Sequence, residues 1–138
     1  MLKNFEKSLL NLKNGSVHVS GTNAFPEAGQ AEVEILFADG SKLEAAYWRI
    51  AKDGKAVLSS FDHHQQYGLP APLDAIQELQ NQLHHKVVTE ALLDKGTGDL
   101  LFQFTENIKL HVFNFTGYEI WHIRFPDGTE EYSNHVNS

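Results

Sequence analysis

The sequence predicts an α+β fold that is mostly antiparallel β-sheet, with an N-terminal helix and one central helix. Short segments of alternating apolar and polar residues predict strands, and Asp-Gly pairs between them predict hairpin turns. Two other segments repeat apolar residues at helical spacing. The 138 residues, 41% of them hydrophobic and 21% charged, suit a globular domain with its own core. We therefore expect a single domain over residues 1–138.

The first element is a predicted amphipathic helix over residues 2–13. Asn14-Gly15 would end this helix, because both residues readily adopt the left-handed backbone conformation. The apolar face of the helix carries Leu2, Phe5, Leu9 and Leu12.

The next segment alternates in the way that β-strands do. A brief strand is predicted over residues 17–20, and a loop with two backbone breakers over residues 22–29. Alternation then predicts a strand over residues 33–37, and Asp39-Gly40 turns it into a return strand through Tyr47. The pair Asp53-Gly54 is a second turn signal, followed by a strand through Leu58.

The central helix is predicted over residues 72–85, after a loop over residues 61–71. Pro72 suits the first helical position, and two acids lie near the positive end of the helix dipole. The apolar stripe of the helix carries Leu73, Ile76, Leu79 and Leu83.

The remaining segments predict strands again. A strand follows over residues 87–93, and Gly96-Thr97-Gly98 turns the chain. The last forty residues alternate in a pattern that predicts a β-meander, in which consecutive strands are neighbours. Its strands would cover residues 100–104, 108–112, 120–125 and 129–132.

An internal repeat is one interpretation of the two β-rich segments, residues 31–63 and 98–135, which flank the helix at 72–85. In each segment a hairpin precedes a Trp-x-Ile strand and an Asp-Gly turn, as in Trp48-Arg49-Ile50 and Trp121-His122-Ile123. The other interpretation is that alternation and Asp-Gly turns recur for physical reasons in any antiparallel chain. A true repeat predicts two similar sheets or two halves of one sheet.

The charge balance argues against direct binding to nucleic acid. Eleven Lys and Arg against eighteen Asp and Glu give a net charge of -7, and no run supplies the basic face that phosphates need. An acidic surface suits a basic protein partner, although the same charge also serves solubility alone. No apolar stretch has the length of a signal peptide or membrane span, and there are no cysteines. We expect a cytoplasmic protein that does not contact the membrane.

No catalytic or metal-binding pattern stands out. Asp62-His63-His64 is the strongest cluster of such side chains, but adjacent residues of an extended chain point to opposite sides. His-Glu-x-x-His spacing is missing, and residues 95–99 lack the context of a phosphate loop. We therefore expect no catalytic residue, no metal at this cluster and no cofactor.

Partner-binding residues are expected where aromatic side chains and acids lie together in or beside turns. Exposed tyrosines give large contact area at low entropic cost, and turns are usually accessible. Trp48 and Trp121 are expected in the core instead. The candidates for partner binding are Asp62, Tyr67, Tyr118, Glu119, Glu130, Glu131 and Tyr132.

Three segments resemble small acidic immunity proteins of bacterial toxin systems, including those of contact-dependent growth inhibition. They are Gly98-Asp99-Leu100, Gly117-Tyr118-Glu119 and the run Trp121 to Gly128. The resemblance implies a cytoplasmic antidote that binds the toxic C-terminal domain of a large secreted protein and blocks its active site. That domain would often be a basic nuclease.

Two other functions stay open on the sequence. One is a small enzyme or ligand-binding domain that uses the loop of Asp62 and His63. The other is a self-associating module in which exposed strand edges form a homodimer. A neighbouring gene that ends in a variable toxic domain would favour the antidote.

Overall fold

A computed structural model describes residues 2–25, 31–116 and 118–133, and in them two helices and ten strands. The helices are α1 (Leu2–Leu10) and α2 (Ala75–Leu83). The strands of the first half are β1 (Val17–Gly21), β2 (Val33–Phe37), β3 (Lys42–Ala45), β4 (Trp48–Lys52) and β5 (Lys55–Ser59). Those of the second half are β6 (Val88–Leu93), β7 (Leu100–Phe104), β8 (Ile108–Val112), β9 (Trp121–Arg124) and β10 (Glu130–Tyr132). The predicted α+β fold with mostly antiparallel sheet is confirmed.

The strands form two antiparallel sheets of five strands each. The first sheet has the order β1-β2-β3-β9-β10, and the second has the order β5-β4-β8-β7-β6. Read from its other edge, the second sheet repeats the first, with β6, β7, β8, β4 and β5 in the places of β1, β2, β3, β9 and β10. Each sheet therefore takes three strands from one half of the chain and two from the other.

The register extends this correspondence to single residues. Trp121 of β9 lies opposite Ala45 of β3, and Trp48 of β4 lies opposite Val112 of β8. One step outward along the same strands, His122 faces Glu44 in the first sheet and Arg49 faces His111 in the second.

The predicted repeat over residues 31–63 and 98–135 stays a prediction, because similar topology alone does not establish common descent. Its two units form neither two separate sheets nor two halves of one sheet, since each unit divides between both sheets. Asn134 and His135, at the far end of the second unit, lie outside the described residues.

The prediction of a β-meander over the last forty residues is wrong at one connection. β8 and β9 do not pair, because β8 belongs to the second sheet and β9 to the first. The short link between β3 and β4 crosses in the opposite sense. Alternation identifies each strand, but it does not say whether the next strand continues the same sheet.

Both helices are shorter than predicted. α1 ends at Leu10, and residues 11–14 form turns instead of the predicted last helical turn. α2 begins at Ala75 rather than Pro72, because the Asp74 side chain caps it by accepting a hydrogen bond from Gln77 N at 3.1 Å. No helix in the described part of the chain is long and apolar enough to cross a membrane.

One core fills the space between the inner faces of the two sheets. Phe37 of the first sheet meets Phe102 of the second, with ring centroids 5.4 Å apart. Phe5 of α1 packs on Trp121, and Leu79 of α2 is fully buried. The predicted core location of both tryptophans is confirmed, since Trp48 and Trp121 are 0% exposed.

The helices lie beside the sheet edges rather than over the outer faces. α1 lies against β6, and α2 lies against β1 and β5. Side chains that point away from the core on the central strands, such as Arg49 and His122, are therefore half-buried or exposed. These two outer faces carry most of the features described below.

Candidate functional site

Three aromatic side chains pack against one another at the surface. Tyr47 stacks on Phe61 with ring centroids 5.6 Å apart, and it meets Phe115 at 4.7 Å. Phe61 is 62% exposed and Phe115 is 57% exposed, while Tyr47 is half-buried between them. We call Tyr47, Phe61 and Phe115 the aromatic surface.

The aromatic surface lies where the chain crosses between the sheets. Tyr47 belongs to the link between β3 and β4, and Phe115 to the connection between β8 and β9. The two links hydrogen-bond to each other, from Ala46 N to Ile120 O at 2.9 Å and from Phe113 N to Tyr47 O at 3.0 Å. These bonds fix Tyr47 and hold the start of the connection that carries Phe115.

Phe61 is positioned by a short 3-10 turn, Ser60–Asp62, that directly follows β5. Ser59 Oγ accepts from Phe61 N at 3.2 Å, and Asp62 Oδ2 accepts from Ser59 N at 2.8 Å. Together these bonds form a capping box around the turn. The three aromatic side chains are thus presented by hydrogen-bonded backbone, which lowers the entropic cost of using them in binding.

Two of the predicted site residues adjoin the aromatic surface. Asp62 directly follows Phe61, and its Oδ1 accepts a hydrogen bond from the Tyr67 hydroxyl at 2.9 Å. This bond raises the pKa of Tyr67, whose side chain is exposed. Asp62 therefore adds a carboxylate directly after Phe61 and holds the hydroxyl of a fourth aromatic side chain, Tyr67.

Three further candidates, Tyr118, Glu119 and Tyr132, lie at the end of β10. Tyr118 is 81% exposed, and its carbonyl oxygen accepts from Ser133 Oγ at 3.3 Å, directly after Tyr132. Glu119 is exposed beside it. Tyr118 follows Phe115 by three residues on the same connection.

Glu130 and Tyr132 belong to a hydrogen-bonded network on the outer face of the first sheet. Glu130 Oε1 lies 2.9 Å from Arg124 Nη2 and 3.0 Å from His122 Nε2, and Tyr132 stacks on His122 at 4.3 Å. The bonds from Arg124 lower the pKa of Glu130. Glu131 is half-buried and lines a groove of about 520 Å³ between α1 and the β9–β10 turn.

The seven predicted site residues thus fall into separate groups. Asp62 and Tyr67 follow β5 near α2, whereas Glu131 lines a groove beside α1. That any of them contacts a partner stays a prediction. The sequence pattern does not predict the aromatic surface itself, although Phe61 lies in the loop that carries the candidates Asp62 and Tyr67. Strand alternation could have predicted part of this surface. If Trp48 points inward, Tyr47 and Arg49 on either side of it must point outward.

The Asp62-His63-His64 cluster organises its own loop. His63 Nδ1 accepts a hydrogen bond from Ala75 N at 3.0 Å, at the start of α2, and the His63 side chain is buried. Burial, followed by the neighbouring His64, lowers the pKa of His63, while Asp74 acts in the opposite sense. Asp62 and His63, which the enzyme alternative would use, therefore both accept hydrogen bonds that hold their own loop in place.

No group of three or more His, Asp or Glu side chains among the described residues has the geometry of a metal site. The absence of metal at Asp62, His63 and His64 stays a prediction. Metal analysis of the purified protein tests it, and stoichiometric zinc would contradict it.

No family model, curated protein or solved structure matches this chain. The resemblance to immunity proteins therefore stays an expectation from the sequence.

Proposed function

We propose that this chain is a protein-binding domain that uses the aromatic surface to bind a toxin domain and block its active site. One observation carries the proposal: Phe61 and Phe115 stay more than half exposed while they pack on Tyr47. Exposed aromatic clusters are costly in water and are typical of contact hot spots.

The surroundings of the cluster favour a protein partner. Tyr67 is an exposed aromatic side chain bonded to Asp62, which directly follows Phe61. Tyr118 is a second exposed aromatic side chain, three residues after Phe115, and the exposed Glu119 follows it. Aromatic anchors with a polar rim are the usual anatomy of an interface between proteins. The net charge of -7 would steer a basic partner toward this chain and speed the encounter.

The identity of the partner as a toxin domain rests on the resemblance at Trp121 to Gly128 and on the acidic composition. An antidote needs to occupy a surface rather than to catalyse a reaction. The engagement of His63 and Asp62 in local hydrogen bonds supports this choice over the enzyme alternative. We expect the gene beside this one to encode a large protein that ends in the toxic domain.

The test uses that C-terminal domain as the binding partner. Phe61→Ser with Phe115→Ser should weaken binding by a factor of 30 or more, because each buried aromatic anchor contributes about 1–2 kcal/mol. The same variant should lose protection in cells that express the toxic domain.

Leu36→Ser is the matched control, since Leu36 is 42% exposed but lies on the outer face of the first sheet. It should bind like the unaltered protein. Equal weakening by the control and the double variant, or tight binding by the double variant, would show that the aromatic surface is not the contact.

A further inference from the structure

The equivalent outer faces of the two sheets differ in how their charges are satisfied. In the first sheet His122 faces Glu44 across β3 and β9, and in the second Arg49 faces His111 across β8 and β4. The position that holds a carboxylate in one sheet therefore holds an imidazole in the other.

The imidazole and guanidinium groups of the first sheet have carboxylate partners within the chain. His122 Nδ1 lies 3.4 Å from Glu44 Oε1, and His122 Nε2 lies 3.0 Å from Glu130 Oε1. Arg124 donates to Glu130 through Nε at 3.0 Å and Nη2 at 2.9 Å, which is the bidentate edge of a guanidinium.

The second sheet lacks these acids at the equivalent places. His111 replaces Glu44, and the bulged strand β5 offers Ala56 and Val57 where β10 offers Glu130. Arg49 Nε and His111 Nδ1 are buried, and neither has a hydrogen-bond partner among the described residues. Buried polar atoms are rarely left unpaired. Both side chains are only half-buried as a whole, so a carboxylate can approach their exposed atoms and supply the negative charge that these positions lack.

Asp99 is the one acid that acts on the charge of His111, but it does not hydrogen-bond to His111 or Arg49 among the described residues. Asp99 favours the charged form of His111, but burial, Arg49 and Lys109 together lower the pKa of His111. Asp99 Oδ1 already accepts from Asn114 N at 2.6 Å. The balance of charge around His111 therefore stays positive.

Apolar side chains surround the two unpartnered groups. The Phe113 ring centroid lies 5.1 Å from Arg49 Cζ, and this ring stacks on His111 at 6.2 Å. Val57 is 49% exposed on the adjacent strand. Because Phe113 N bonds to Tyr47 O, the group is continuous with the aromatic surface.

We propose that Arg49 and His111 form a carboxylate-binding site that receives an aspartate or glutamate side chain of the protein partner. The proposal rests on the proposed function, because the site lies beside the aromatic surface and would be covered by the same partner. The incoming carboxylate would take the place that Glu44 and Glu130 hold in the first sheet. A basic partner can supply it, since the net charge of a protein is the sum of acids and bases together.

The composition of the site favours one carboxylate over the phosphates of a nucleic acid. A guanidinium beside Phe113 and Val57, with Lys109 as one further cation near His111, fits one planar anion with an apolar stem. A nucleic acid would require a basic track, whereas the whole chain has a net charge of -7.

The experiment needs no knowledge of the partner. The full chain is titrated with a blocked tripeptide that has glutamate between two leucines, while NMR follows the ring of His111. The glutamate peptide should bind about fivefold more tightly than its glutamine counterpart, as expected for one partly exposed charged hydrogen bond. It should also raise the pKa of His111, because a carboxylate favours the imidazolium form.

Arg49→Gln should abolish the difference between the two peptides, and Arg49→Lys should reduce it, because lysine lacks the planar bidentate edge. Arg124→Gln is the matched control and should leave the difference intact. The ring signals of the buried His63, which lies in neither outer face, report whether each variant keeps the fold. If Arg49→Gln disturbs those signals, Arg49→Lys alone decides.

Equal binding of the two peptides would overturn the proposal. So would a short oligothymidylate that displaces the glutamate peptide at lower concentration, since the site would then favour phosphate. The proposed function would survive either result as long as the double Phe61 and Phe115 variant loses the toxin domain. Conversely, if the double variant still binds the toxin domain, the proposed function fails, but tighter binding of the glutamate peptide would still show a carboxylate-binding site.

Discussion

Trp48 and Trp121 occupy equivalent places in the two sheets, and each indole ties its own sheet to the other. Trp48 Nε1 donates to Ala31 O at 2.8 Å, two residues before β2, and Trp121 Nε1 donates to Gly98 O at 2.9 Å, two residues before β7. Since β4 and β2 belong to different sheets, as do β9 and β7, both bonds bridge the sandwich. Buried indole N–H groups need such partners.

Removing either indole should destabilise the fold by a similar amount. We expect Trp48→Phe and Trp121→Phe each to lower the free energy of unfolding by about 2–4 kcal/mol, from the lost hydrogen bond and the space left behind. Urea unfolding measures this, with the exposed Tyr67→Phe as control. A change below about 0.5 kcal/mol at either position would contradict the equivalence.

Two buried serines also occupy equivalent places, and their substitution should have unequal effects. Ser133 Oγ accepts from Ile120 N at 2.8 Å and from Trp121 N at 3.3 Å, whereas Ser60 Oγ accepts from Trp48 N alone, at 3.2 Å. We expect Ser133→Ala to cost about 2–3 kcal/mol and Ser60→Ala about 1–2 kcal/mol, because each leaves buried N–H groups unpaired.

Thermal and urea unfolding of both serine variants test the order of these effects. Ser16→Ala serves as control, since Ser16 is exposed. A larger loss for Ser60→Ala than for Ser133→Ala would refute this account of the two hydroxyls.

Stability should fall as the pH is lowered below neutrality. The folded-state pKa values of His63 and His111 are both lowered, chiefly by burial. The unfolded chain therefore binds more protons, so this stability is complete above the ordinary imidazole pKa of about 6.5 and is lost as the pH falls through the folded-state values.

The pH prediction is checked by urea unfolding at about pH 7.5 and about pH 5. His63→Gln with His111→Gln should lose less stability between these two conditions than the unaltered protein does. An identical loss in both proteins would place the pH dependence on other groups.

Charge at β10 should affect how fast the toxin domain associates. Glu130→Gln with Glu131→Gln should slow association and weaken its salt dependence, because rim charges act mainly on encounter. Glu130 also holds Arg124 at 2.9 Å, so its loss leaves that guanidinium unneutralised and adds to the effect. Tyr118→Ala should instead speed dissociation, since Tyr118 is 81% exposed and available as a contact.

Glu78→Gln with Glu106→Gln removes the same net charge elsewhere and should change association less. Stopped-flow binding at two salt concentrations measures all three variants. If the association rate changes neither with salt nor with the double substitution at Glu130 and Glu131, β10 is not near the contact.

Local pattern was enough to predict the strands, the turns and the class of the fold. The alternation through β2 and the Asp39-Gly40 turn act over a few residues, so they are readable without knowledge of distant partners. Helix ends were less well predicted, because the Asp74 cap displaced the start of α2 beyond Pro72. The burial of Trp48 and Trp121 also followed from residue type.

Part of the candidate site could be approached from the sequence as well. The mixture of aromatic and acidic residues predicts a binding loop at Asp62 and Tyr67, and the structure joins these two side chains by a hydrogen bond directly after Phe61. The aromatic surface as a whole could not be predicted, because Tyr47, Phe61 and Phe115 meet only after two links cross between the sheets.

The pairing of β9 with β3 rather than β8 was decided by tertiary structure alone, since an alternating strand carries the same pattern whichever sheet it joins. The same holds for the contrast between the two outer faces. Nothing in the local sequence of Arg49 or His111 distinguishes them from His122, whose ring nitrogens lie beside Glu44 and Glu130. Their unpartnered atoms follow from the register, which places Arg49 opposite His111 and gives the carboxylates to the other sheet.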